Sequence, residues 1–327
     1  MGLRKKLKGR GCWTRLKMCP TPAAFYAPFR LSGCPQLGNA HRQASFWKRP
    51  PGYLLVLTAF GVCGAVSWLY LTFDNEITET LVRQGEVVQQ PKIFQVQCSE
   101  DYDNYKRYPG CTPQTCGRAV TDGVVTHEEA RALRRLAERG LSLAGSDGGA
   151  SILDLHSGAL SMGKQFVNIY RYFGERIKDV FSEEDFQLYR AVRARIQGVI
   201  AEMFGLDPSR MYLTKPTFFS RINSSAAKTT HDEYWHPHID KVTYGSFDYT
   251  SLLYLSDYGG DFGGGRFVFM DADGNRTVEP RAGRVSFFSS GSENLHRVEK
   301  VGWGTRFAIT VSFTCDPAHA IADPALP

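Results

Sequence analysis

From residue 211 onward, apolar and polar positions alternate over short runs: LTKPTFFSRI, DYTSLLYLSDY, GGRFVFMDADG, RTVEP, GRVSFFSSG and RFAITVSFT. These runs are rich in β-branched and aromatic residues and are broken by Gly, Asp and Asn, which predicts an antiparallel sandwich or jelly roll. Asp273-Gly274 falls between two of them as a hairpin turn. Before residue 211 the period is helical. Thr126 with Glu129 forms a capping box ahead of ARALRRLAERG, a helix predicted to stop near Gly140. Ser182 with Asp185 opens EEDFQLYRAVRARIQGVIAEMFG, closed by Gly205, and Phe186, Tyr189, Val192, Ile196, Val199 and Ile200 recur on one face. GSDGGAS, 145–151, reads as a flexible loop. Together these predict one α+β domain in which helices pack on a β-sandwich.

Further toward the N-terminus the pattern turns continuously apolar. YLLVLTAFGVCGAVSWLYLTF, residues 53–73, carries no charge, and about 20 such residues suffice to cross a bilayer as a helix. Tyr53, Trp68 and Tyr70 suit the membrane interfaces. Charge adds direction. Residues 1–50 hold eleven Lys or Arg and no acid, leaving 28 basic against 33 acidic residues beyond them. By the positive-inside rule the basic end stays cytoplasmic, so a single-pass type II protein with a lumenal domain, in the ER or Golgi, is expected. The basic tail has no fold signature for nucleic acid, and no nucleic-acid partner is expected. The predicted organisation is a basic tail 1–52, a signal anchor 53–73, a stalk 74–97, a Cys-bearing helical support region 98–210 and a β core 211–327. In an oxidising lumen Cys98, Cys111, Cys116 and Cys315 predict two disulfides, with three pairings open. Asn223 and Asn275 begin glycosylation sequons.

The chemistry concentrates in HPHIDKVTY. His236, His238 and Asp240 stand at alternate positions, which share a face in an extended strand. Two His and one carboxylate with open positions is the non-haem Fe(II) arrangement. His238 and Asp240 supply an HxD pair, and His296 is the later His within the β region. Rival metal pairs lie in His231-Asp232-Glu233 and His236-Pro237-His238. Arg306, ten residues after His296, opens a strand and is suited to grip a carboxylate bidentately, unless Glu299 pairs with it locally. Asp271-Ala272-Asp273 and Asp101-Tyr102-Asp103 match a glycosyltransferase DxD, but no βαβ pattern for a sugar nucleotide accompanies them.

HxD…H with Arg at the tenth following position resembles the prolyl 4-hydroxylase-like 2-oxoglutarate and Fe(II)-dependent oxygenases. GTRFAITVSF is similar to the closing strand of the hypoxia-inducible-factor prolyl hydroxylases, and LLYLSD, FGGGRFVF and VEPRAGRVSFF resemble neighbouring family segments. The resemblance implies a double-stranded β-helix (jelly-roll) core with His238, Asp240 and His296 on Fe(II). It implies Arg306 on the distal carboxylate of 2-oxoglutarate, with Tyr254 and Thr310 beside it, and L-ascorbate as reductant. The implied reaction hydroxylates a protein side chain and releases succinate and CO2. The partners are then a membrane and a protein substrate. One departure stands out: where the family often has a Tyr on the strand before HxD, this chain reads TFFSRIN, leaving Arg221 or Ser220 as substitutes, or a shifted loop. The alternative is a non-catalytic lumenal binding module on the same fold.

Overall fold

The fold is given by a computed structural model, which describes residues 52–72, 78–103 and 107–326. Two units separate, 1–72 and 73–327. In the first, α1 (Gly52–Thr72) is a helix of 21 residues whose described side chains, Val56, Leu57, Phe60 and Val62 among them, are exposed. Among the described residues no helix is long and apolar enough to cross a membrane. The basic tail and parts of the expected span lie outside the described residues.

The second unit begins with β1 (Thr78–Val82), β2 (Lys92–Val96) and β3 (Cys116–Thr121). Next come α2 (His127–Ser142), β4 (Ala150–Leu153), β5 (Ala159–Met162), β6 (Gln165–Asn168), α3 (Ile169–Phe173) and α4 (Glu183–Phe204). The remainder is β7 (Tyr212–Asn223), α5 (Asp240–Tyr244), β8 (Tyr249–Tyr254), β9 (Phe262–Gly264), β10 (Phe267–Asp271) and β11 (Gly274–Val278). The chain closes with β12 (Val285–Ser289), β13 (His296–Val298) and β14 (Val301–Thr314). The large sheet runs β2-β3-β12-β8-β14-β7-β4-β5-β6, the small one β1-β11-β10-β13, and β9 pairs with the start of β14. This two-sheet core fits a jelly roll.

Both faces of the large sheet are covered, so its central strands are apolar on both sides. All six residues of β8 are buried. Leu253, Val285, Phe287, Ile309 and Val311 pack with Leu133 and Leu136 of α2 and Ile196 and Ile200 of α4. From the opposite face Leu252, Tyr254, Phe288 and Ala308 meet Phe267, Phe269 and Val278 of the small sheet. Between the sheets, toward β7, the polar members of the same alternation line a cavity, and there the site is built.

Both predicted capping boxes form, Thr126 with Glu129 and Ser182 with Asp185, and Gly205 ends α4 in the left-handed region at φ 64°. Gly140 does not stop α2, which continues to Ser142. A Cβ there would come within 2.4 Å of Leu153 Cδ2 and 2.7 Å of Phe181 Cζ, so this glycine admits close packing rather than termination. The expected stalk is also different: 74–97 contributes two strands. β1 pairs parallel with β11, β2 pairs with β3, and Leu81 and Val82 are buried. Of the two sequon residues, Asn275 is buried on β11, between β1 and β10. Asn223 ends β7 half-buried, followed by exposed Ser224 and Ser225.

Of the three open disulfide pairings, Cys98–Cys116 and Cys111–Cys315 form. The second joins residues 204 apart, tying the support region to the end of β14. Its replacement by an Ala pair is expected to lower stability by about 2–5 kcal/mol, because the unfolded chain gains the entropy of a long open loop. Chemical denaturation of the double variant against wild type checks this.

Candidate metal centre

His238 lies just before α5 and His296 opens β13, and their backbones bond each other, N–H to carbonyl, at 2.9 and 3.1 Å in both directions. This bridge sets the two imidazoles together, with centroids 4.3 Å apart. Asp240 comes not from a continuing strand but from the first position of α5. That turn brings its carboxylate to His238 and His296, whereas His236 is exposed and bonds Glu233 at 2.9 Å.

Each ring's Nδ1 faces a backbone carbonyl: His238 that of His236 at 3.0 Å, His296 that of Asn294 at 2.8 Å. A carbonyl only accepts, so each Nδ1 donates to it and each Nε2 is left facing the site. Both Nε2 atoms face Asp240 Oδ1, at 3.6 and 3.7 Å. His296 is fully buried, and burial pulls its pKa down to about 4, partly opposed by Asp240, so it is neutral near pH 7. Three potential ligand atoms therefore converge within 4.8 Å. A cation satisfies all three, and two imidazoles with one carboxylate suit Fe(II).

The ligands are held from behind. Thr250 Oγ1 donates to Asp240 Oδ2 at 2.6 Å, fixing which oxygen faces the imidazoles. Arg118 of β3 donates to Asn294 Oδ1 at 3.0 Å and to Asp271 at 2.8 and 3.1 Å, so the turn whose carbonyl orients His296 is clamped. Such outer partners typically govern metal affinity by about 10–100-fold. Thr250→Val, nearly the same shape without the hydroxyl, is expected to weaken metal binding in that range, read by direct metal titration.

The same cavity, about 220 Å³, is lined by Arg306, Thr310, Ser220, Tyr234 and Tyr244 besides the three ligands. Arg306 is 1% exposed. Its Nε donates to the Gly265 carbonyl at 3.0 Å, and its Nη2 is buried without a hydrogen-bond partner. Burial pulls its pKa below the ordinary arginine value, with Tyr254 and Tyr234 opposing. The expected local competitor is absent: Glu299 pairs with Arg266 at 2.7 Å instead. A buried guanidinium with an unpartnered Nη2 on the wall of a metal cavity fits a carboxylate ligand.

Thr310 lines the cavity opposite Leu252 and Phe218 in register. Tyr254 does not line it. Its hydroxyl is 2.9 Å from Ser286 Oγ, and its ring lies 5.5 Å from the Arg306 guanidinium. The strand alternation aims it at the sheet-to-sheet core, so it supports Arg306 rather than facing a ligand. Of the β7 substitutes, Ser220 lines the cavity, while Arg221 bonds Ser151 at 3.3 Å on the other face. Tyr234, in the loop after β7, also lines the cavity, and its oxygen accepts the Val301 N–H at 2.9 Å. No periodicity marks Tyr234; its one sequence signal is the aromatic pair Tyr234-Trp235 just before HxD. The DxD residues are engaged elsewhere, Asp271 with Arg118 and Asp101 with the Ser292 N–H.

Residues 224–314 match the family described as 2OG-Fe(II) oxygenase superfamily. The mouse protein 2-oxoglutarate and iron-dependent oxygenase domain-containing protein 3 is 66% identical over 276 residues, covering 83% of this chain and 87% of the mouse protein. Human prolyl 3-hydroxylase 1 is 28% identical over 63% of this chain, which corresponds to 29% of that longer protein. A solved prolyl hydroxylase from Trichoplax adhaerens, in complex with a hypoxia inducible factor peptide fragment, aligns at 15% identity. It covers 60% of this chain and 83% of that one, with a TM-score of 0.39.

Proposed function

Because the chain belongs to the 2OG-Fe(II) oxygenase superfamily, we propose that it is a dioxygenase that binds Fe(II) at His238, Asp240 and His296. On this reading 2-oxoglutarate spans from that metal to Arg306, and a protein side chain is hydroxylated. The observation that carries the reading is the pairing, in one cavity, of three converging ligand atoms with a buried guanidinium whose Nη2 lacks a partner. When bound, Fe(II) supplies the activation of O2 coupled to oxidative decarboxylation of 2-oxoglutarate to succinate and CO2. The chain's own residues do the rest. Arg306 neutralises and orients the distal carboxylate, and Ser220, Tyr234 and Thr310 border it. Thr250 keeps Asp240 turned toward the metal position, and the apolar walls from Phe218, Ile222, Leu252 and Phe267 limit water.

The likeness to prolyl 3-hydroxylase 1 supports a prolyl side chain as the first substrate class to test. L-ascorbate is proposed as the reductant that restores the iron. The two disulfides, with the basic tail and the apolar run behind it, support a type II anchor and a lumenal catalytic domain. The test is anaerobic titration of 2-oxoglutarate into the full chain, with and without Fe(II), followed by assay of succinate on admitting O2. Metal-dependent binding and succinate release are expected. A metal-loaded chain that fails to bind 2-oxoglutarate overturns the dioxygenase and leaves a binding module on the same fold.

A further inference from the structure

We infer that the buried Lys241–Asp248 ion pair is a positioning device for the metal ligand Asp240; the inference rests on the metal-centre reading above. Lys241 follows Asp240 directly, and the two side chains leave α5 in different directions. Asp240 lines the metal cavity. Lys241 lines a second cavity of about 370 Å³ behind it, together with Asp248, Tyr102 and Tyr108. Lys241 is 4% exposed and Asp248 7%. Lys241 Nζ donates to Asp248 Oδ1 at 2.8 Å and lies 5.2 Å from the Tyr102 ring.

α5 has five residues, far too few to hold a helix by their own hydrogen bonds. On its rear side the protein offers a cavity rather than a packed wall. What anchors the turn there is Lys241, and its anchor is firmly fixed. Asp248 Oδ2 accepts the Cys315 N–H at 2.7 Å, next to the Cys111–Cys315 disulfide, and the Asp248 N–H donates to the Phe313 carbonyl at 2.9 Å. The Lys241 N–H donates to the Ser290 carbonyl at 2.9 Å, and Ser290 Oγ meets Thr250 Oγ1, the hydroxyl that holds Asp240. One end of α5 is thus tied to the end of β14 and to β12, and the carboxylate rides on that tie. A buried ion pair adds little net stability compared with apolar residues of similar volume. Its contribution here is geometric: it sets where the first residue of α5 stands.

The test separates positioning from stability. Lys241→Met alone strands a buried carboxylate and is expected to lower Tm. The double variant Lys241→Met with Asp248→Asn strands no charge, and its amide oxygen still accepts the Cys315 N–H, so it is expected to recover Tm to near wild type. Mn(II) is titrated into the full-length apo protein and followed by the loss of free-ion signal in electron paramagnetic resonance. The expected result is a metal affinity at least 10-fold below wild type in the double variant despite the recovered Tm. Wild-type affinity in that variant overturns the positioning role and leaves the metal centre standing. Should the double variant fail to recover Tm, Lys241→Arg decides: it keeps the charge with a different reach, so unchanged affinity at wild-type Tm overturns the role and weakened affinity supports it. No Mn(II) binding by wild type overturns the metal-centre reading and this inference with it.

Discussion

Arg306→Leu is expected to lower 2-oxoglutarate affinity by about 100-fold or more while leaving metal binding at its wild-type level. Truncating one member of a buried charge pair typically costs 2–5 kcal/mol or more, and 2.7 kcal/mol is already a factor of about 100. The separation of the two effects follows from place. Arg306 sits on β14 with its Nη2 unpartnered, and it makes no hydrogen bond to His238, Asp240 or His296. In the ligand-free protein Arg306 is a buried charge paired with no carboxylate among the described residues, with Tyr254 and Tyr234 near it and the Gly265 carbonyl beside it. Leucine removes that liability, so the apo protein should melt no lower than wild type. Arg306→Lys keeps charge but loses the planar fork, and an intermediate affinity is expected. Calorimetric titration under anaerobic conditions, with the metal loaded first, reads all three proteins. Undiminished 2-oxoglutarate binding by Arg306→Leu removes Arg306 from the cosubstrate site.

Much of this site was legible because its signals are local. HxD, the later His and the Arg ten residues on stand at fixed spacings, and two capping boxes mark α2 and α4 without tertiary help. The rest depended on contacts far apart in sequence. TETLV and KIFQV are five-residue strands with charged and polar members, too short to show a period, and they became visible through β11 and β3. The alternate spacing of His236, His238 and Asp240 suggested one extended face. The chain instead folds into α5 at Asp240, and the next residue, Lys241, pairs with Asp248 seven residues on. The family resemblance placed Tyr254 beside the cosubstrate, yet its hydroxyl meets Ser286 and its side chain does not line the cavity. Tyr234 lay in a loop, where periodicity carries no information. The Cys111–Cys315 pairing joins residues 204 apart, beyond any local rule.

Asp240→Asn carries the other large effect: metal affinity falls by more than about 100-fold, beyond the range of an outer-partner change. The ligand-free protein meanwhile becomes no less stable. The reason is the set of three ligand atoms. Asp240 is 4% exposed, and among the described residues no lysine or arginine pairs with it. Its Oδ1 faces the Nε2 atoms of His238 and His296 at 3.6 and 3.7 Å, beyond hydrogen-bond distance, so without a cation this oxygen of a buried carboxylate is poorly compensated. An asparagine oxygen still accepts from Thr250, while its amide group donates toward the two Nε2 atoms where the metal would sit. The variant therefore satisfies the apo site by a hydrogen bond and occupies the ligand position with a donor. Lost metal binding together with an equal or higher Tm is the signature of a site whose native residue is kept for function against stability. Thermal melts of the apo proteins and Mn(II) titration give both quantities. If the variant instead lost several degrees of Tm and kept its metal, Asp240 would be a structural carboxylate and the metal would lie elsewhere.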